Sequence, residues 1–125
     1  MALTQALSPL QQLRQVRHGQ WLDVLKRRLE AALAAPELPP AQAWAIYLFG
    51  SRARGDWDGY SDTDLLVVAQ SPELAASLAD LIREAGIAED VLAIDQAHWH
   101  GLDQAASPYW AGIKRQAQRL AGQLR

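Results

Sequence analysis

Apolar residues return at helical spacing in three stretches of the chain, and each stretch opens on a Ser-Pro pair. Serine suits the N-cap of a helix, and proline suits the first helical position, where no N–H is needed. Behind Ser8-Pro9 the apolar positions are Leu10, Leu13, Val16, Leu22, Leu25, Leu29 and Leu33. Steps of three and four put such residues along one side of a helix. The pattern predicts a helix over about 9–35, with His18-Gly19 as a place for a kink, Pro36 as a stop and Pro39-Pro40 as a stiff connector. Behind Ser71-Pro72 come Leu74, Leu78, Leu81 and Ile82, with Gly86 placed to end a second helix. Behind Ser107-Pro108 come Tyr109, Trp110, Ile113, Ala117, Leu120 and Leu124, which predict a helix running to the end of the chain, about 108–123.

Between the helices lie runs without helical gaps. Ala43 to Phe49, Thr63 to Ala69 and Asp90 to Ile94 are short and almost continuously apolar. Such runs read as strands covered on both faces. The predicted order is helix, strand, loop, strand, helix, strand, helix. One sheet packed with helices, of the α/β or α+β class, accommodates it.

Composition narrows the possibilities. The chain has 125 residues, half of them hydrophobic and 21% charged, which suits a single domain over 1–125 with its own core. It has no cysteine, so disulfide frameworks, iron–sulfur clusters and thiolate zinc sites are excluded. No apolar run reaches the ~20 residues that span a bilayer. The N-terminal residues lack the charged-then-apolar layout of a secretory signal. The expectation is a cytoplasmic protein with no membrane partner. A net charge of −2 argues against nucleic acid as a partner.

Candidate chemistry is concentrated in Leu48 to Val68. A strand runs into Gly50-Ser51, then Arg52-Ala53-Arg54-Gly55. Ten residues, 52 to 61, separate Ser51 from Asp62-Thr63-Asp64, which opens the next apolar run. Asp62 and Asp64 are two apart, so a strand projects both carboxylates from one face. Two acids at a buried strand's mouth repel unless a cation lies between them. Carboxylates with phosphate and water are the usual ligands of Mg²⁺. Gly50 permits a sharp turn, and the turn's N–H groups with the Ser51 hydroxyl can cradle phosphate. Taken singly, an Asp-x-Asp or a Gly-Ser loop is as readily a cap or an ordinary turn.

Other motifs fail. Gly50 to Gly55 has the glycine spacing of a P-loop, but Asp56-Trp57 follows instead of Lys-Ser/Thr. Asp56-Trp57-Asp58-Gly59 starts like a calcium loop, then places glycine too early and Tyr60 at the fifth position. Ser51 has no Gly-x-Ser-x-Gly elbow around it. His98-Trp99-His100 lacks a nearby third ligand and reads as a surface loop.

Gly50-Ser51, ten residues, then Asp62-x-Asp64 together resemble the signature of the DNA polymerase beta-like nucleotidyltransferase superfamily. At this length the chain looks like a minimal nucleotidyltransferase, with a catalytic core at about 41–95. The resemblance implies the nucleotidyltransferase fold, a small mixed sheet of about three to four strands packed with helices. It implies a third carboxylate on a later strand; Asp90 supplies it, with Asp95 as the competitor. It further implies Mg²⁺ held by Asp62, Asp64 and Asp90, and the phosphates of ATP held by Gly50 and Ser51. Arg52 and Arg54 are candidates for additional phosphate contacts, because guanidinium matches phosphate oxygens; pairing with Asp56 and Asp58 is the alternative. Trp57 and Tyr60 suit stacking on a base or packing of their own loop.

Small proteins of this kind resemble the antitoxin partners of HEPN toxins, which they modify by adding AMP to a tyrosine. That resemblance implies a HEPN-family toxin as protein acceptor. Arg14, Arg17, Lys26, Arg27, Arg28, Lys114, Arg115 and Arg119, with Trp21, Tyr109 and Trp110, could form docking surfaces or simply face solvent and the core. The alternatives are an aminoglycoside-type adenylyltransferase, which usually carries a further domain for its small-molecule acceptor, and a non-catalytic nucleotide- or partner-binding module.

Overall fold

The computed structural model describes residues 7–55, 62–104 and 107–124. All three Ser-Pro pairs start helices. Helix α1 (Pro9–Ala32) opens on a reciprocal cap: the Gln11 N–H donates to Ser8 Oγ at 3.1 Å and the Ser8 N–H to Gln11 Oε1 at 2.9 Å. It runs unbroken through His18-Gly19. Strand β1 (Trp44–Phe49) follows a 3-10 turn at Ala41–Ala43. A four-residue helix, α2 (Ser51–Arg54), leaves its end. Strand β2 (Asp64–Ala69) leads to α3 (Pro72–Glu84), where Ser71 Oγ accepts from the Leu74 N–H at 3.1 Å. Then come β3 (Asp90–Asp95), α4 (Gln96–Gly101), α5 (Pro108–Gln116) and β4 (Gln118–Gly122).

The fold is mixed α+β. Its sheet has four strands in the order β3-β2-β1-β4, with β2 parallel to β3 and both other pairs antiparallel. The apolar runs of β1 and β2 have the expected cause, for both their faces are covered; β3 departs from the expectation, because it is an edge strand with only Val91 buried. Ile46, Leu48, Leu65, Val67 and Ala69 pack toward Leu25 and Leu29 of α1 and Leu78 and Ile82 of α3. Phe49, Leu66 and Val68 pack on the opposite side with Ile113, and Leu92, Ile94, Trp99 and Trp110 lie against them. Alternate side chains of one strand take opposite faces. Asp64 and Asp90 therefore share the face of Leu66, Leu92 and α5.

Three expectations need correction. The C-terminal segment is not helical to its end: Ala117 turns extended (φ −60°, ψ 133°), and β4 pairs antiparallel with β1. Gln, Arg, Leu and Ala favour helix locally, but without β4 the buried strand β1 would leave one row of backbone donors and acceptors unpaired. His98-Trp99-His100 lies in α4, not a loop, with Trp99 stacked on Tyr47 at 4.5 Å. The apolar positions of α1 do not form one buried stripe; Leu25 and Leu29 are buried, whereas Leu10, Leu13 and Val16 stay exposed.

Gly122 discriminates helix from strand by experiment. Its φ is +73°, and an added Cβ would fall 2.4 Å from the Trp44 carbonyl oxygen. In a helix, Gly122→Ala would stabilise by up to about 1 kcal/mol. In β4 it should destabilise by about 1–3 kcal/mol, read as a lower denaturant midpoint.

Candidate functional site

The site begins with a register. Phe49, the last residue of β1, pairs with Asp64, the first of β2, and Asp64 pairs in turn with Asp90, the first of β3. Three neighbouring strands thus bring Gly50, Asp64 and Asp90 to one end of the sheet. Gly50 has φ +76°, a conformation that favours glycine, and a Cβ there would lie 2.3 Å from Asp64 Oδ2. The chain then coils into α2, with the Arg54 N–H donating to the Gly50 carbonyl and the Gly55 N–H to that of Ser51, each at 3.0 Å. Gly55, at φ +87°, closes the turn.

Two clefts flank Asp64. The larger, about 550 Å³, is lined by Gly50, Ser51, Arg54, Asp62 and Asp64 on one side and by Tyr109, Gly112, Arg115 and Gln116 of α5 on the other. The second, about 320 Å³, is lined by Phe49, Asp64, Asp90, Leu92 and Tyr109. Gly50, Ser51, Arg54, Asp62 and Asp64 are therefore brought together, and Asp90 joins them through Asp64. Asp95 is at the other end of β3, paired with Ala69, and caps α4 by accepting from the His98 N–H at 2.8 Å. Arg52 does not line either cleft. Its guanidinium lies 4.5 Å over the Trp21 ring, which in turn stacks on His18 at 5.6 Å. Trp57, Tyr60, Asp56 and Asp58 lie outside the described residues.

The turn is braced from outside the motif. Arg14 of α1 donates to the Gly55 carbonyl at 3.4 Å, and Gln118 of β4 donates to that of Ala53 at 3.2 Å. On the acid side, the Thr63 N–H donates to Glu89 Oε2 at 2.7 Å while buried Thr63 separates Asp62 from Asp64. The contribution of α5 is what the sequence reading missed. Tyr109 and Arg115 were candidates for a docking surface, yet both face the cleft. Their helical spacing was visible, but nothing local tells which sheet edge a helix will overhang.

Burial pushes the Asp64 carboxyl up to about 6; a hydrogen bond with Asp90 adds to this, as do the charges of Asp90, Asp62 and Glu89. A partly buried carboxyl hydrogen-bonded to a second one holds a proton where a cation would serve both. The donors are hard oxygens, which fit Mg²⁺ completed by phosphate and water. Among the described residues, no three acidic or histidine side chains form a ready-made metal cage. Asp64, with Asp90 and Asp62 beside it, could hold such an ion with water or substrate oxygens completing its shell.

A family model for the nucleotidyltransferase domain matches residues 37–109, more than half of the chain. The chain belongs to this family. No curated protein matches the sequence. No described helix is long and apolar enough to cross a membrane.

Two outcomes follow from this geometry. A carboxyl raised on folding binds its proton more tightly in the native state, so its burden on stability is absent below the unfolded value of 3.8, grows as pH rises toward about 6, and is complete above it. Asp64→Asn should accordingly raise the melting temperature of the metal-free protein at pH 8 by a few degrees, with little change at pH 4. Gly50→Ala should destabilise by about 1–3 kcal/mol through its positive φ and the clash with Asp64. Adding Asp64→Ala should restore part of that loss, a non-additivity measurable in a double-mutant cycle.

Proposed function

We propose that the protein transfers AMP from ATP to a hydroxyl of a protein acceptor, with Mg²⁺, and that the acceptor is a HEPN-family toxin, which makes this chain an antitoxin. The observation that carries the transfer chemistry is the row Gly50–Asp64–Asp90 across three adjacent strands. It sets a glycine turn suited to phosphate beside paired carboxylates suited to a cation. Nucleotidyl transfer needs both, because an in-line displacement at a crowded anionic phosphorus depends on positioning and charge neutralisation.

Each residue has a role in this reading. The Gly50-Ser51 turn binds the β- and γ-phosphates, and Arg54 and Arg115 face the same cleft as counter-charges. Asp62 and Asp64 bind Mg²⁺, which when bound neutralises the triphosphate. Asp90 orients the acceptor hydroxyl and takes its proton. The protein acceptor is supported by the likeness to small nucleotidyltransferases paired with HEPN toxins. It is also supported by α1, whose Leu10, Leu13 and Val16 remain exposed beside Arg14 and Arg17. Of the aromatic docking candidates, Trp21 and Trp110 pack against the chain's own core clusters.

The reading is tested by mixing the chain, Mg²⁺-ATP and the product of the adjacent gene, and measuring intact masses. The acceptor should gain one or more AMP units, and Asp64→Asn should reduce this at least a hundredfold. Asp90→Asn should keep most Mg²⁺-ATP affinity and lose transfer. Asp95→Asn should be nearly silent, since asparagine also caps a helix. Modification of an aminoglycoside instead of the protein would identify a small-molecule adenylyltransferase.

A further inference from the structure

Among the described residues, the two clefts beside Asp64 share one exposed hydroxyl-bearing aromatic. Tyr109, in the first turn of α5, lines both the cleft of the Gly50-Ser51 turn and the cleft of Asp90, and its surface is 62% exposed. Tyr47 is different: it is part-buried and stacked on Trp99. Across the sheet the order is β1, β2, β3, so the phosphate turn, Asp64 and Asp90 form a row with Asp64 in the middle. In-line displacement needs the attacking oxygen on the side opposite the leaving pyrophosphate. With the β- and γ-phosphates at the turn, that side is the Asp90 cleft, which Phe49, Leu92 and Tyr109 line.

We propose that Tyr109 is itself an acceptor: the chain transfers one nucleoside monophosphate from a bound nucleoside triphosphate onto its own Tyr109. This rests on the nucleotidyl-transfer reading above and concerns the same cleft. The bond from the Tyr109 phenolic oxygen to the α-phosphorus forms as the bond from that phosphorus to the bridging oxygen of pyrophosphate breaks. Pyrophosphate leaves with the electron pair, and the phenolic proton passes through a cleft carboxylate to water.

The test incubates the full chain with Mg²⁺ and ATP, reading intact mass, peptide map and pyrophosphate together. The expected result is one AMP unit per chain, located on Tyr109, with an equal amount of pyrophosphate, at a rate independent of protein concentration. Asp64→Asn and Tyr109→Phe should each gain no mass, and a mixture of the two should gain none either. Labelling of the Asp64→Asn chain in that mixture overturns transfer within one chain. Pyrophosphate release with an unmodified Tyr109, or an adduct on neighbouring Ser107, overturns Tyr109 as acceptor while nucleotidyl transfer stands. Absence of both Mg²⁺-ATP binding and pyrophosphate release removes the nucleotidyl-transfer reading itself, and this inference with it.

Discussion

The approach of Gly50 to Asp64 constrains everything around the site. Phe49 pairs with Asp64, so the residue after Phe49 must turn away directly above that carboxylate. A side chain there would meet Asp64 Oδ2 at 2.3 Å, and the backbone must take φ +76°. Glycine meets both demands. The turn thereby brings its backbone to the acid without a side chain between them, which is the arrangement that a phosphate bridging N–H groups and a cation requires. Strand pairing, not the loop, sets that distance.

The acids are unfavourable in isolation, and the sheet explains why they are tolerated. Below them, Leu66 and Val68 on the same face are completely buried under α5, while Asp64 at the strand's mouth is only partly covered. Parallel pairing with β3 fixes Asp90 beside it. Below about pH 6 the native state meets the resulting repulsion by keeping a proton on Asp64. A bound cation would remove the same repulsion at neutral pH. Ligand binding and relief of built-in strain are then one event, and the core beneath supplies the stability that holds the acids together when the cleft is empty.

Much of this was legible in the sequence, for physical reasons that differ by element. The Ser-Pro pairs act within one turn, so all three helix starts could be read. The β1 and β2 runs were readable because a strand covered on both faces can hardly contain polar residues, whereas β3 lies at the sheet's edge with only Val91 buried. Asp90 and Asp95 bracket the same strand, and a fixed parallel register separates them: one lies beside Asp64, the other caps α4. What could not be read depends on distant partners. Gln118 to Gly122 has helix-forming residues and becomes strand because β1 offers an edge. Arg52 and Arg54 look equivalent in sequence, but α2 directs one over Trp21 and leaves the other on the cleft.

That last division assigns the flanking segments a part in the site. The Gly-Ser turn is only four helical residues long after its glycine, too short to hold its own geometry in water. Its outer side is fastened by Arg14 and Trp21 from α1 and by Gln118 from β4, none of which belongs to the motif. Arg52 serves the fastening because a guanidinium over an aromatic ring, partly shielded from water, is worth on the order of 1 kcal/mol or more. Helix α1 is anchored by Leu25 and Leu29 in the core, so it can present Trp21 and Arg14 to the turn while Leu10 and Leu13 remain uncovered. A partner that covered those residues would press on the same helix that braces the Gly50-Ser51 turn. If the proposed acceptor docks there, its docking and nucleotide binding are joined through α1, without any contact between acceptor and nucleotide at that surface.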